Sequence, residues 1–553
     1  MTRPPTRLIK RWEKGGRDRV PAFIENWSRK NFYALGILLV LLVGLGAVFW
    51  WPAIFFGVLP LAYWVVGLKD ISQKRHTVLR NFPLLGHLRY FFESVRPEIR
   101  QYFVESDFEQ TPYSRAMRSV VYQRAKNALD TIPFGTKHDV YGDGYEWIAQ
   151  SLVPTQPDPS TARVLIGEGR CQKPYSASLF NISAMSYGSL SHRAVLALNG
   201  GAKIGKFYHN TGEGGVARYH LEPGGDLVWQ VGTGYFGCRS KNGGFDEGRF
   251  KETCSHKTVK MIELKLSQGA KPAHGGILPG KKVTPEIAEI RGVEVGKTVH
   301  SPPFHRAFST PIGLLKFVTQ MRELAGGIPV GVKLCVGQPH EFLAIVKAML
   351  DTGMRPDFIS VDGGEGGTGA APVEFSNSVG MPLRDGLWFV HNALLGAGVR
   401  QDIKLISAGK IASGFHICRQ LALGADLCNS ARSMMFALGC IQALKCNSNK
   451  CPVGVATQVP KLVQGLDVDD KSTRVASYHF KTIEALLELV GAAGLDSPEE
   501  LRPHHIYRRC STTTIDTLDA IYPVIQEGSL LGNQVPAHFT EHWNRAAANS
   551  FRA

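Results

Sequence analysis

Apolar residues follow three patterns along this chain. The first is a run at 32–68: 37 residues without one Asp, Glu, Lys, Arg or His. As one helix it would be about 55 Å long, against about 30 Å of bilayer hydrocarbon. Two transmembrane helices fit better, with the break at Trp50-Trp51-Pro52. Pro is accommodated in the first turn of a new helix, and Trp favours the membrane interface. The second span is then only 17 residues, so one tilted span with an interfacial remainder is the alternative. A signal peptide would be shorter and followed by small residues at a cleavage site, and a soluble helix would not be apolar on every face.

The second pattern starts near residue 175. Short apolar runs at 180–184, 206–209, 227–231, 259–266, 330–335, 358–361, 404–407 and 426–429 alternate with helical stretches such as 194–204, 313–324, 341–350, 415–423 and 434–444. Short, continuously apolar strands suit a parallel sheet buried on both faces. Eight of them with intervening helices predict an α/β fold, a (β/α)8 TIM barrel; a doubly wound open sheet would alternate in the same way. The segment 267–308 is too long for an ordinary βα loop, and such loops are often functional. A further helix is predicted at 478–492, with Phe480, Ile483, Leu486, Leu487 and Val490 on one face. The third pattern is mixed and polar. The expected divisions are a basic N-terminus (1–31), two membrane helices (32–68), an irregular helical lead-in and linker (69–160), the barrel (161–490) and a C-terminal tail packed on it (491–553).

The net charge of +16 raises nucleic acid and membrane as partners. Residues 1–31 hold nine Lys or Arg against three acids, directly before the apolar run, and no nucleic-acid motif occurs elsewhere. Lys69, Lys74, Arg75 and Arg80 follow the run. By the positive-inside rule both ends lie in the cytoplasm, which places the barrel on the cytoplasmic side of the inner membrane. Ten Cys in 553 residues is not a disulfide-scaffold density.

Cys440, Cys446 and Cys451, spaced C-x5-C-x4-C with Pro452 following, are the sharpest chemical signal. Soft thiolates select iron–sulfur clusters, and three ligands with no nearby fourth suit a three-iron, 3Fe-4S cluster. Zinc usually wants four ligands in paired knuckles. Three buried free cysteines are the bland alternative.

Barrel active sites lie at the carboxyl ends of the strands. There the sequence places Ala184-Met185-Ser186, Glu213, Lys265, Lys333, the loop beginning Asp362-Gly363-Gly364 and running through Gly367, then Gly409-Lys410 and Ser430-Ala431-Arg432. Loops after the last two strands commonly bind phosphate, here through backbone amides helped by Arg432. Lys333 is a charge inside an apolar strand, costly unless paired. It forms either a salt bridge across the barrel, for instance with Glu263, or a functional cation. Glu213, Lys265 and Lys271 are candidates to hold a substrate acid and move a proton; a structural ion pair is the alternative for each.

The segment 440–458, ending CPVGVATQ, resembles the cluster loop of the FMN-binding synthase domain of glutamate synthases. Segments 181–191, 210–215, 268–272, 277–283 and 366–370 also resemble that family, in family order. The resemblance implies that the phosphate belongs to FMN, that Lys333 lies beside the flavin N1–C2 carbonyl, and that Gln230, in a further family-like segment, joins the cofactor site. It implies reductive amination of 2-oxoglutarate to L-glutamate through 2-iminoglutarate. Three departures stand out. The chain starts Met1-Thr2-Arg3 rather than with a Cys-first glutaminase domain, so ammonia is expected to come free, from a partner or from another amine. Tyr235 stands where Arg is expected, which could change the acid bound. The loop 362–369 is longer than usual and adds Glu365 over the presumed flavin. A flavin oxidoreductase acting on another amino or oxo acid, one making an N-substituted glutamate, or a membrane-linked electron-transfer subunit are the alternatives. No nicotinamide-binding unit is visible, leaving ferredoxin or a partner reductase as candidate electron donor. The oligomeric state is open.

Overall fold

The computed structural model describes residues 27 and 29–552; most of the basic N-terminus, 1–26, lies outside the described residues. The chain forms two compact units that divide between Pro112 and Tyr113, inside the stretch read above as one lead-in.

In the first unit the apolar run folds as two helices, Arg29–Phe49 and Val58–Ser72, joined by a 3-10 stretch Trp51–Gly57. The break falls at Trp50, whose backbone is extended (φ −148°, ψ 98°), and Pro52 follows in the first turn of the new element. Phe32, near the start of the first helix, stacks on Tyr63 at 4.9 Å and lies against Gly67 in the later half of the second, while Gly57, just before the second, lies by Val43 in the later half of the first. The two helices are therefore antiparallel. Counted with the 3-10 stretch, the elements are 21 and 22 residues, long and apolar enough to cross a membrane.

The second unit is a closed barrel of eight parallel strands. They are β1 (Phe180–Ile182), β2 (His209–Asn210), β3 (Leu227–Val231), β4 (Val259–Lys265), β5 (Val330–Leu334), β6 (Phe358–Asp362), β7 (Lys404–Ala408) and β8 (Leu427–Ser430). Each pairs with its sequence neighbour, and β8 closes on β1. Every residue of β3 and β5 is buried, including the polar Gln230 and Lys333, as expected of parallel strands covered on both faces. Local chemistry starts the outer helices. Ser191 Oγ accepts from Ala194 N ahead of His192–Gly205, and Thr310 does the same for Gly313 N ahead of Pro311–Leu324.

Three expectations change. The helix expected at 434–444 is only Arg432–Ala437. Gly439 (φ +102°), Gln442 and Leu444 are all at positive φ, which no helix continues through. The late helix is longer than expected, Val468–Ala492, and Phe480 is not on its buried face: it is 63% exposed, while Val475, Tyr478, Leu486 and Val490 are buried. The lead-in is not all helical. Its strand Glu146–Ile148 pairs antiparallel with Ile506–Arg509 of the tail, so the two flanks of the barrel share one small sheet.

Candidate active site at the carboxyl ends of the strands

A cleft of about 1220 Å³, its open mouth included, lies at the carboxyl ends of the strands. Ala184, Met185, Ser186, Glu213, Gln230, Lys265, Lys271, Lys333, Asp362, Gly367, Gly409, Lys410, Ser430, Arg432 and Cys446 all line it. Gly363, Gly364, Cys440 and Cys451 do not. The amides of Gly363 and Gly364 are spent on Ala408 O (3.0 Å) and Met381 O (2.8 Å), so neither is free for a ligand.

The floor is built by strand register. Glu263 and Lys265 are two residues apart on β4 and point to the same side, into the barrel. Glu263 Oε1 accepts from Asn210 Nδ2 (2.8 Å) and Gln230 Nε2 (2.6 Å), and Oε2 from Ser360 Oγ (2.5 Å). A buried carboxylate is tolerated when its lone pairs are taken up in this way. Lys333 therefore does not need Glu263 as its ion-pair partner. Its Nζ lies 3.1 Å from Asp362 Oδ2 at the end of β6. Burial alone would lower the Lys333 ammonium, but Asp362 and Glu263 outweigh it and the net shift is upward. Lys333 stays charged.

On the other side Lys265 Nζ pairs with Glu213 Oε2 at 2.9 Å and donates to Gln268 Oε1 at 2.9 Å. Burial raises the Glu213 carboxyl, yet Lys265, Arg291 and Lys271 hold it net below the usual range. Lys271 donates to Ala370 O at 2.8 Å, and burial pushes its ammonium down to about 8 despite Glu213. Cations outnumber carboxylates here, so the cleft can accept a dianion and retains a carboxylate placed to exchange a proton.

Arg291 was not anticipated. It comes from the short helix Pro285–Arg291 within the long 267–308 segment. It is buried, donates to Tyr187 O (3.0 Å), and keeps Nε without a partner among the described residues. Burial lowers it to about 10. Arg291 itself lies behind the cleft wall, whereas Tyr113, from a region whose sequence carried no signal, lines the cleft. Gln442, 329 residues away, holds its backbone at both N (3.2 Å) and O (3.1 Å).

Two of the departures noted above resolve differently from expectation. Tyr235 does not face the cleft. It is fully buried, with Oη 3.1 Å from His305 Nδ1 and accepting from Ala307 N at 3.2 Å. Glu365 does not line the cleft either: its Oε2 accepts from Leu383 N at 3.0 Å. That amide opens helix Leu383–Gly396, where unpaired N–H groups and the helix dipole attract a carboxylate.

Arg432 lies between the cleft and the cysteine loop, its Nη1 3.7 Å from Cys446 Sγ. The three cysteines are free thiols, Cys440 and Cys451 buried and Cys446 half-buried. Among the described residues no three His, Cys, Asp or Glu side chains are grouped to hold a metal ion.

Residues 153–496 match the family model for the conserved region in glutamate synthase. The glutamate synthase large subunit-like protein YerD of Bacillus subtilis is 38% identical over 494 residues, 82% of this chain and 93% of that one. The archaeal glutamate synthase (NADPH) of Methanocaldococcus jannaschii is 34% identical over 322 residues, and the match spans 60% of its length. Among solved structures, a mandelate oxidase aligns with 73% of this chain and 91% of its own at 14% identity and a TM-score of 0.39, too distant to inform the site. The extent of the family match and the identity to YerD together place this chain in the glutamate synthase family.

Proposed function

We propose that this protein is an FMN- and iron–sulfur-dependent oxidoreductase that forms L-glutamate by reductive amination of 2-oxoglutarate. The observation that carries this reading is the cation-rich cleft of a glutamate synthase family member, with an ion-paired Glu213 set among Lys265, Lys271 and Arg291.

The residues present fit FMN. Lys333, held charged by Asp362, suits the N1–C2 carbonyl edge, where reduction puts negative charge. The Gln230 amide is oriented by its bond to Glu263, which leaves its oxygen as an acceptor on the cleft side. The amides of Gly409 and Lys410 make no hydrogen bond among the described residues and, with Arg432, suit a phosphate. When bound, FMN supplies a hydride equivalent to the substrate carbon. Lys271 would hold a substrate carboxylate, Arg291 behind the cleft wall would add positive potential at Glu213, and Glu213 would relay the proton that amination requires. Cys440, Cys446 and Cys451 are not drawn together as a metal site among the described residues, but they lie close enough to act on one another electrostatically and would have to converge to hold the cluster. The two apolar helices would anchor the enzyme, with the barrel on the cytoplasmic side.

The test is anaerobic photoreduction of the purified protein, followed by 2-oxoglutarate with either ammonium or glutamine, while flavin absorbance and glutamate are measured. Reoxidation with glutamate formed from ammonium alone supports a synthase using free ammonia. Reoxidation by neither mixture moves the activity to another oxo acid or to membrane electron transfer. Absence of bound flavin overturns the reading. Iron and acid-labile sulfide should be present together and be lost in Cys446→Ser.

A further inference from the structure

Within the first unit, helix Gly86–Ile99 carries an apolar stripe that faces solvent. Leu88, Phe91, Phe92 and Ile99 recur at helical spacing on one side and are 42–59% exposed. Tyr102 and Phe103, in the turn Arg100–Val104 that continues the helix, are 55% and 85% exposed. Arg89, Glu93 and Arg96 occupy the other side, with Arg89 and Glu93 ion-paired at 3.1 Å. A helix of a soluble domain buries such a stripe; here Gly86 is the only buried residue of the helix.

The position of this helix is set by polar contacts. Asp70, buried near the end of Val58–Ser72, accepts from Leu84 N at 3.0 Å and lies 2.9 Å from His87 Nε2. Trp27 Nε1 and Arg29 Nε, at the start of the first apolar helix, donate to Pro83 O (3.0 Å) and Arg80 O (2.8 Å). The start of the first apolar helix, the end of the second and the start of the amphipathic helix therefore meet at one level. If the apolar pair spans a bilayer, that level is its headgroup region.

We propose that 86–104 is an interfacial helix that lies in the cytoplasmic headgroup layer with its aromatic stripe toward the acyl chains, so that the protein is seated on the membrane as well as tethered to it. A helix with a broad apolar face and a charged opposite face binds in this way. The occupant of the stripe is lipid. The inference rests on reading the two apolar helices as spans.

The test uses the full chain in its own membranes, with the photo-crosslinker p-benzoylphenylalanine introduced singly at Leu88, Phe92, Phe103 or Glu93. These side chains are all exposed, so the changes leave packing intact. Lipid adducts at 88, 92 and 103 about tenfold above those at 93 are expected. Adducts of twice the chain mass (a second copy), adducts to another protein, or equal lipid labelling at all four positions overturn the proposal while leaving the spans standing. Recovery of the chain in the soluble fraction overturns both.

Discussion

Glu213 is placed by what is missing beside it. A Cβ at Gly276 would come within 2.2 Å of Glu213 Oε1, the far end of a flexible side chain. Gly276→Ala is therefore expected to move the carboxylate away from Lys265 and loosen a largely buried ion pair, at a cost of up to about 3 kcal/mol in a thermal melt. Glutamate formation should fall by about 10²-fold, the scale of a lost acid–base group. Lys271 makes a second prediction. Its folded pKa, about 8, is below the ordinary 10.5, so the unfolded chain holds this proton more tightly. Its charge penalises the fold below about pH 8, and the penalty fades as pH rises toward 10.5. Lys271→Met should therefore raise Tm at pH 7 while weakening dicarboxylate binding. In the wild type, binding followed by flavin absorbance should weaken about tenfold per pH unit above 8. Unchanged affinity between pH 7 and 10 would remove Lys271 from the substrate site.

At the scale of elements, two carboxylates in loops or short strands organise the barrel's surroundings. Glu146, on the lead-in strand, has a side chain 6% exposed and meets Arg384, Arg419 (2.7 Å) and Arg508 (3.4 Å). It joins the lead-in, two barrel helices and the tail. Glu146→Gln leaves three guanidiniums without their anion and should cost about 3 kcal/mol in urea unfolding, the usual scale for breaking a buried pair. Glu365→Ala removes the acceptor for Leu383 N and should cost about 1 kcal/mol, as loss of a helix cap does. Because Glu365 lies off the cleft, substrate affinity should not follow stability. A large change in affinity with little change in stability would mean that Glu365 faces the ligand in solution.

For the whole molecule, the apolar helices decide how it must be handled. Their side chains are largely exposed, Val48 and Phe49 by more than 80%. The full chain should therefore fractionate with membranes, resist alkaline carbonate extraction and need detergent to stay monodisperse. Quantitative recovery in the soluble fraction would count against both spans. The barrel follows ordinary rules for a parallel α/β enzyme, its functional groups collected at one end by the common direction of the strands.

The repeating apolar pattern was sufficient for the eight strands, the helix between most of them and the break at Trp50, because burial and hydrogen-bond periodicity act over a few residues. Strand direction also placed Glu213, Lys265, Lys333, Asp362 and Arg432 at one end before any side chain was located. The partners of these residues were not legible. Glu263 is satisfied from β2, β3 and β6, Tyr113 is held by Gln442, and Arg291 enters from a long insertion. Such pairings depend on barrel closure and on the path of irregular loops, which no local period encodes. The same limit explains Glu365 and Tyr235: their positions in the chain placed them near the site, but the direction of each side chain was decided by a helix end and by a buried histidine that only the folded chain brings beside them.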